Sequence, residues 1–141
     1  MAKSAEPGVR DRKRRFSQKQ YQMLLRCARK HNITEWNRWR KDHTSAPILL
    51  EGVDLSGCWL QGAYLNQGVL TDKRGRRYHF VADVHLEGAN LSHCSLRGAT
   101  LARAHLQGAT LIDADLRGAD LCDTQMEGAR LGGAIVRGAT V

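Results

Sequence analysis

Residues 84–141 decide the fold, and they read VHLEG ANLSH CSLRG ATLAR AHLQG ATLID ADLRG ADLCD TQMEG ARLGG AIVRG ATV. A large aliphatic residue recurs at every fifth position, and a small residue, usually Ala, lies two positions before it. In an α-helix, successive aliphatics would rotate by roughly 140° and cover every face. In one continuous strand they would alternate between faces, because five is an odd number. The period therefore excludes both a long helix and a long flat strand.

Each five-residue unit is best explained as one short side followed by one corner. The small and the large residue are two apart, so on an extended segment they point the same way. The next two residues must turn the chain, and Gly recurs at the second of them, where a type II turn requires a positive φ. Four such units close a square coil of twenty residues. The sequence therefore predicts an all-β solenoid in which residues twenty apart stack at about 4.8 Å.

An earlier block has the same phase, with Leu50, Leu55, Leu60, Leu65 and Leu70 as its aliphatics. Leu70 and Leu86 are sixteen residues apart, one more than three units, so the phase slips between them. The segment TDKRGRRYHF at 71–80 is therefore predicted to leave the coil as a small hairpin that turns at Arg74 and Gly75.

Three regions follow from these patterns. We predict a disordered basic tail at 1–15, an α-helical N-terminal cap at 16–45, and a β-helix at 46–141 that a basic loop at 71–83 interrupts. The cap is predicted from apolar residues at helical spacing in 17–31 and from a second short helix at 34–42.

The units ANLSH, ADLRG and ADLCD resemble the A-(D/N)-L-x-x consensus of the pentapeptide repeat family. The resemblance covers about two-thirds of the chain and implies a right-handed quadrilateral β-helix. The string TEWNRWR at 34–40 resembles a W-N-x-W-R segment that precedes the repeats in many members. That resemblance implies that Trp36 and Trp39 cap the open end of the solenoid, where unpaired backbone groups and apolar rungs would invite aggregation.

Positive charge is concentrated at the start of the chain. The net charge is +8, and residues 1–44 hold thirteen Lys and Arg against four Asp and Glu. Such asymmetry favours an anionic partner for the head, although a solubilising tail would look the same. The candidate partner-binding residues are Arg12, Lys13, Arg14 and Arg15 in the head, Lys73, Arg74, Arg76 and Arg77 in the loop, and the predicted column Arg97, Arg117 and Arg137. For the loop and the column the alternative is solvated surface.

Neither a metal site, a cofactor nor an enzyme is expected. The four cysteines are far apart and lack zinc-ligand spacing. Cys58 and Cys94 fall in the small inward position, where we expect them to be inert. His85 and His105 form a predicted column without a third ligand, which favours a hydrogen-bonded ladder over a metal site. A narrow coil filled with Leu and Ala offers no recess for catalysis. Without a signal segment or a long apolar run, we expect a cytoplasmic protein.

Three functions remain open. The first is a protein-interaction or scaffold module whose basic head recruits an anionic partner. The second is nucleic-acid association through the basic N-terminus and loop, which would be sensitive to salt. The third comes from the resemblance alone: some family members imitate DNA and bind DNA gyrase. A rod of four to five coils with a mildly acidic body makes this third function less favoured. We also expect two chains to pack end to end through the last coil, burying Val136 and Val141.

Overall fold

A computed structural model describes residues 13–66, 68–71, 73–80 and 82–141 of the chain. Most of the predicted tail, including Arg12, lies outside the described residues. The elements in chain order are α1 (Gln18–Lys30), α2 (Thr34–Asp42), β1 (Ile48–Leu49), β2 (Gly68–Thr71), β3 (Arg77–Phe80) and β4 (Val84–His85). In the described part, no helix has the length and apolar character that a membrane span requires.

The predicted twenty-residue coil is present. Parallel bridges join His85 to His105, Asn90 to Thr110, Ser95 to Asp115 and Thr100 to Asp120, and each column continues into the next coil. Most of these contacts are isolated bridges, because each side of the coil is extended for only about three residues before the next turn. We number the coils 1 (48–66 with 82–83), 2 (84–103), 3 (104–123) and 4 (124–141), and each has four sides.

Leu and Ala fill the interior of the coil. In coils 2 and 3 the inward aliphatic and small side chains are at most 4% exposed, with Leu96, Leu106 and Ala109 at 0%. In coil 4 this burial fades, and Ile135, Val136 and Val141 are 47%, 49% and 91% exposed. Within the described residues, no further coil covers the apolar side chains of coil 4, so they are accessible there.

Every turn from Gly88 onwards has a positive φ at the same position of the unit. Gly occupies it in most units, as the sequence predicts. Four units instead carry a residue with a side chain there, with φ between 56° and 63°: His93, Arg103, Asp113 and Asp123. An L-residue in this region is strained, so these corners are held by the inter-coil hydrogen bonds rather than by local preference.

The excursion from the coil is a hairpin, but it begins earlier than the sequence indicates. Strands β2 and β3 pair antiparallel, with Gly68 opposite Phe80 and Thr71 opposite Arg77, and Gly75 in the turn has φ 80°. Leu70, predicted as an inward residue of the coil, belongs to β2 instead, so that prediction was wrong. Coil 1 pairs with coil 2 at a separation of thirty-six residues (Ile48 with Val84), so the excursion adds sixteen residues to one coil.

Two helices precede the coil and pack on its first turn. Ser17 caps α1 by accepting a hydrogen bond from the backbone N–H of Gln20 at 3.2 Å, and His31 ends it in the left-handed conformation. The buried face of α1 includes Met23, Leu24 and Cys27, which join the same apolar core as the coil.

Candidate functional site

The first edge of the coil is covered by the segment just before α1. Phe16 forms an antiparallel bridge with Leu50. The N–H of Ser17 donates to the carbonyl of Leu49 at 2.8 Å, and the N–H of Glu51 donates to the carbonyl of Arg15 at 3.0 Å. An open strand edge is a template for unwanted pairing, and here the chain pairs its own N-terminal segment with one side of coil 1.

Two carboxamide side chains replace backbone on other parts of this edge. The amide of Gln20 donates to the carbonyl of Pro47 at 2.9 Å and accepts from the N–H of Leu49 at 2.7 Å. Asn37 repeats the arrangement, donating to the carbonyl of Gly62 at 3.0 Å and accepting from the N–H of Tyr64 at 2.8 Å. A carbonyl and an N–H two residues apart are the groups that a parallel neighbouring strand would bond. The N–H and C=O of each carboxamide therefore make the two hydrogen bonds that the backbone N–H and C=O of one residue in a preceding coil would make.

The W-N-x-W-R segment contributes more than its two tryptophans. Trp36 is fully buried, and its ring N–H donates to the carbonyl of Tyr64 at 3.0 Å. Trp39 is only partly buried and stacks on His43 with ring centroids 4.8 Å apart. Arg40 is fully buried, and its guanidinium donates to the carbonyls of His43, Ala46, Tyr64 and Asn66. Burial lowers the pKa of Arg40 to about 10, so the group remains a cation at neutral pH.

Two basic residues of the head contact the coil itself. The Nε of Arg14 donates to the carbonyl of Glu51 at 2.7 Å, and its guanidinium lies 4.5 Å from the ring centroid of Phe16. The Nη1 of Arg15 lies 3.6 Å from carboxylates of both Glu51 and Glu87. The charge of Arg15 is therefore partly neutralised within the molecule, and Arg14 is held against the coil without a carboxylate partner in these contacts.

The hairpin tip is a group of exposed cations. Residues 73–77 are all exposed, and four of the five are Lys or Arg: Lys73, Arg74, Arg76 and Arg77. The root of the hairpin is held by Asn66, which is fully buried. Its carboxamide donates to the carbonyl of Ala102 and accepts from the N–H of Ala82 at 2.9 Å. We call residues 73–77 the basic tip.

Arg97, Arg117 and Arg137 form the predicted column at one corner, which we call the arginine corner. The N–H of Gly98 donates to the carbonyl of Arg117 at 3.0 Å, and that of Gly118 to Arg137 at 3.2 Å. Hydrogen bonds from Arg117 at 2.8 and 2.6 Å hold the pKa of Asp115 down, at about 2. Arg117 is thus neutralised, whereas no ion pair in the described part of the chain involves Arg97 or Arg137.

The hairpin that carries the basic tip leaves the coil at the corner next to the arginine corner. The arginine corner precedes the side formed by Tyr64, Thr100, Asp120 and Thr140, and the hairpin leaves the coil directly after that side, following Asn66. One polar side, with the carboxylate of Asp120 in its column, therefore lies between the arginine corner and the root of the hairpin.

The side of the coil that follows the hairpin carries two stacked histidines. His85 and His105 stack with ring centroids 4.8 Å apart and an interplanar angle of 6°. The Nδ1 of His85 lies 3.1 Å from a carboxylate oxygen of Glu87. Among the described residues, no group of three or more His, Cys, Asp or Glu is arranged to hold a metal ion.

Comparison with known proteins agrees with the repeat. Residues 82–118 and 101–138 match the family model described as Pentapeptide repeats, with eight copies. Proteins of this family form right-handed quadrilateral β-helices and are in general structural repeat proteins. No curated protein sequence matches the chain.

Several solved structures are similar to parts of the chain. A pentapeptide repeat protein from Nostoc Pcc 7120 is 32% identical, with 62% of this chain and 58% of that chain covered and a TM-score of 0.47. One from the Arabidopsis thaliana thylakoid lumen is 28% identical (70% and 64% covered, TM-score 0.39). HetL, from Nostoc sp. strain PCC 7120 and involved in heterocyst differentiation regulation, is 30% identical (62% and 46%, TM-score 0.30). The chain spans less than two thirds of the length of each of them.

Because eight copies of the repeat lie within residues 82–138 and the coil closes every twenty residues, this part of the chain is a pentapeptide-repeat region.

Proposed function

We propose that this protein is a non-enzymatic interaction module that holds an acidic protein segment against its cationic side. The observation that carries the proposal is the exposure of the whole basic tip, residues 73–77, on a hairpin that leaves the coil at the corner next to the arginine corner. A loop on a rigid scaffold is a common place for binding residues. Concentrated cations also raise the association rate of an anionic partner.

The coil supplies rigidity to this surface. Its sides are fixed by inter-coil hydrogen bonds of about 2.6–3.2 Å, such as Leu96 N–H to the carbonyl of Asp115 at 2.8 Å. Arg97 and Arg137 therefore stay two rungs apart, at roughly 10 Å. A partner meets a preformed pattern of charge, so little ordering entropy is lost at the coil on binding.

The helices have a separate role in this proposal, which is to cap the coil. Trp36 and Arg40 bury themselves over the first coil, while Gln20 and Asn37 complete its hydrogen bonds. Capping units with a polar outer surface keep repeat proteins soluble. Exposed Lys and Arg residues on the outward faces of α1 and α2 fit that role.

An acidic protein segment is favoured over nucleic acid because the cations do not form a continuous track. Asp120 lies on the side between the hairpin root and the arginine corner, and Asp115 neutralises Arg117. A phosphate backbone carries a charge at every nucleotide and would meet this carboxylate, whereas an acidic peptide can pass it with an uncharged residue. The same cationic corner also argues against the DNA-mimic function, since a gyrase-binding mimic presents negative charge.

The test titrates labelled poly-glutamate, duplex DNA and single-stranded RNA separately with the full chain. Binding is measured by fluorescence anisotropy at about 50 and 200 mM salt. The tip variant replaces Lys73, Arg74, Arg76 and Arg77 with Ala. We expect poly-glutamate to bind wild type and to bind the tip variant at least about tenfold more weakly at the lower salt.

The matched control removes the same number of exposed cations from the helices: Arg29, Lys30, Arg38 and Lys41, each replaced with Ala. If binding depended only on net charge, both variants would lose the same affinity, and the proposed surface would be wrong. Tighter binding of DNA or RNA than of poly-glutamate would transfer the function to nucleic-acid association.

We also propose that the exposed apolar edge of coil 4 binds a second copy of the chain. Ile135, Val136 and Val141 are its exposed large aliphatics. Sedimentation at increasing concentration should show a dimer that the change Val136→Lys abolishes. A monomer at all concentrations would refute this second proposal.

A further inference from the structure

Cys58 and Cys94 occupy the same inward position in successive coils. The bridge between Trp59 and Ser95 fixes the register, and the N–H of Ser95 donates to the carbonyl of Cys58 at 2.9 Å. Coil 3 has Ala114 at the equivalent position, so the column contains two thiols followed by a methyl group. Both cysteines are unpaired in the structure, so this is a reduced dithiol.

The thiol of Cys94 is directed towards coil 1. Its Sγ donates to the carbonyl of Leu55 at 2.7 Å, and the backbone N–H of Cys58 donates to the same oxygen at 3.1 Å. A shared acceptor places the Cys94 sulfur beside the Cys58 residue. Neighbouring parallel strands lie about 4.8 Å apart, and disulfides form between Cα atoms about 4.4–6.8 Å apart.

We propose that Cys58 and Cys94 are a redox modification site, at which a low-molecular-weight disulfide such as oxidised glutathione converts the pair into a disulfide that joins coil 1 to coil 2. The two thiols differ in access, which orders the steps. Cys58 is only partly buried, whereas Cys94 is 1% exposed.

The chemistry proceeds by two thiol–disulfide exchanges. Cys58 loses its proton and attacks one sulfur of oxidised glutathione, which forms a mixed disulfide and releases one glutathione that takes up a proton. Cys94 then loses its proton and attacks the Cys58 sulfur, which closes the protein disulfide and releases the second glutathione. The protein dithiol loses two electrons and two protons, and one oxidised glutathione becomes two reduced ones.

Burial makes this reaction slow at neutral pH. It raises the pKa of Cys94 to about 12 and also raises the pKa of Cys58. Because the thiolate is the attacking species, the rate should increase with pH. The finished disulfide is neutral, so the apolar interior accepts it without a buried charge.

The cross-link should stabilise the first coil across the hairpin. Residues 58 and 94 are thirty-six apart, and the closed loop includes the whole excursion. Closing a loop of this length restricts the unfolded chain. We expect the melting midpoint to rise by roughly 5–10 °C on oxidation and to return on reduction.

The experiment incubates the reduced full chain with oxidised glutathione at neutral and alkaline pH, then alkylates the remaining thiols and digests the protein without reductant. Trypsin cuts between the two cysteines at the basic tip, so the linked peptides are identifiable by mass. We expect a Cys58–Cys94 peptide pair, formed faster at alkaline pH, and a fall from four alkylated cysteines to two.

Two variants make the result decisive. Cys94→Ala should fold, because Ala114 fills the same position in coil 3, and it should trap glutathione on Cys58 as the mixed disulfide. Cys122→Ser should leave the cross-link unchanged. A stable mixed disulfide on Cys58 in wild type, or four free thiols after oxidation at alkaline pH, would overturn the proposal.

Discussion

The change Gln20→Glu preserves the shape of a side chain that seals coil 1 but removes its N–H donor. In wild type this carboxamide is 6% exposed and bonds both the carbonyl of Pro47 and the N–H of Leu49. An ionised carboxylate still accepts from Leu49 but faces the Pro47 oxygen with no hydrogen between them. A lost donor and a poorly solvated charge together should cost about 2–4 kcal/mol of unfolding free energy at neutral pH.

The penalty should depend on pH in a defined direction. Below the unfolded carboxyl pKa of about 4.3, the acid is protonated in both states, and its O–H replaces the amide donor to Pro47. Burial raises the folded pKa of the variant, so above about pH 4.3 the unfolded state ionises first. Stability relative to wild type then falls by up to about 1.4 kcal/mol per pH unit. A penalty of about 3 kcal/mol corresponds to a pKa of about 6.5 for the new carboxyl group in the folded variant. Above that pH the loss of stability levels off.

Urea unfolding followed by far-UV circular dichroism between pH 4 and 7 measures this difference. The midpoint of the variant should approach that of wild type at pH 4 and fall as pH rises, with an unchanged m-value. Gln22→Glu on the same helix is the control, because Gln22 is only partly buried and has no hydrogen bond from its side chain in the described structure. If both variants show the same pH profile, the carboxamide does not replace a coil, and the reasoning fails.

Three other predictions test separate features. Gly108 has a φ of 70°, whereas Gly132 does not have a positive φ. A Cβ added at either position would have no atom within 4 Å, so the two sites differ in backbone conformation and not in space. Changing Gly108 to Ala should therefore cost about 1 kcal/mol in thermal unfolding, and Gly132→Ala should be neutral or stabilising. By NMR titration, Asp115 should have a pKa of about 2 that rises towards about 3.9 in Arg117→Gln. The stabilisation from this solvent-screened pair is small, is present above about pH 3.9 and is lost as pH falls towards 2. Arg40→Met should lower the unfolding free energy by about 3 kcal/mol, because it leaves buried carbonyls without donors.

The coil could be predicted because its period depends on local rules. Each unit must turn after its aliphatic residue, and only a positive φ at the turn continues the coil, so the sequence repeats visibly. The exceptions were not predictable from that rule. Arg103 and Asp113 take a positive φ without being Gly, because hydrogen bonds to neighbouring coils hold those corners in place.

The boundary of the hairpin shows where periodicity misleads. Leu70 matches the period of the coil but lies in β2. Pairing with Tyr78 in β3 decides its position, and this non-local contact is not visible in the spacing of aliphatic residues. Asn66 marks the start of the hairpin, because it is a polar residue at a corner where Gly is absent. Its buried carboxamide bonds the carbonyl of Ala102 and the N–H of Ala82.

The contacts that the helices make with coil 1 could be predicted only in part. The tryptophans suggested an apolar cover, and Trp36 provides one. The carboxamides of Gln20 and Asn37 carry no pattern in the sequence that separates them from surface residues. Arg14 and Arg15 look like part of a charged tail, yet their contacts with Glu51 are evident only once the coil is assembled. Polar side chains that satisfy backbone groups depend on three-dimensional placement, which a single sequence does not display.

The sixteen-residue excursion has a consequence for the order of folding. Between coils 2 and 3 each hydrogen bond joins residues about twenty apart, whereas coils 1 and 2 are joined across thirty-six. The longer loop costs only about 0.5 kcal/mol more in closure entropy, so the insertion is tolerated at equilibrium. We nevertheless expect coils 2 and 3 to form the folding nucleus, because their contacts are closer in sequence. Coil 1, the hairpin and the helices should then dock later as one cooperative unit. Amide protons of coil 1 should therefore exchange with solvent sooner than those of coil 3, and a ligand held at the hairpin would slow that exchange.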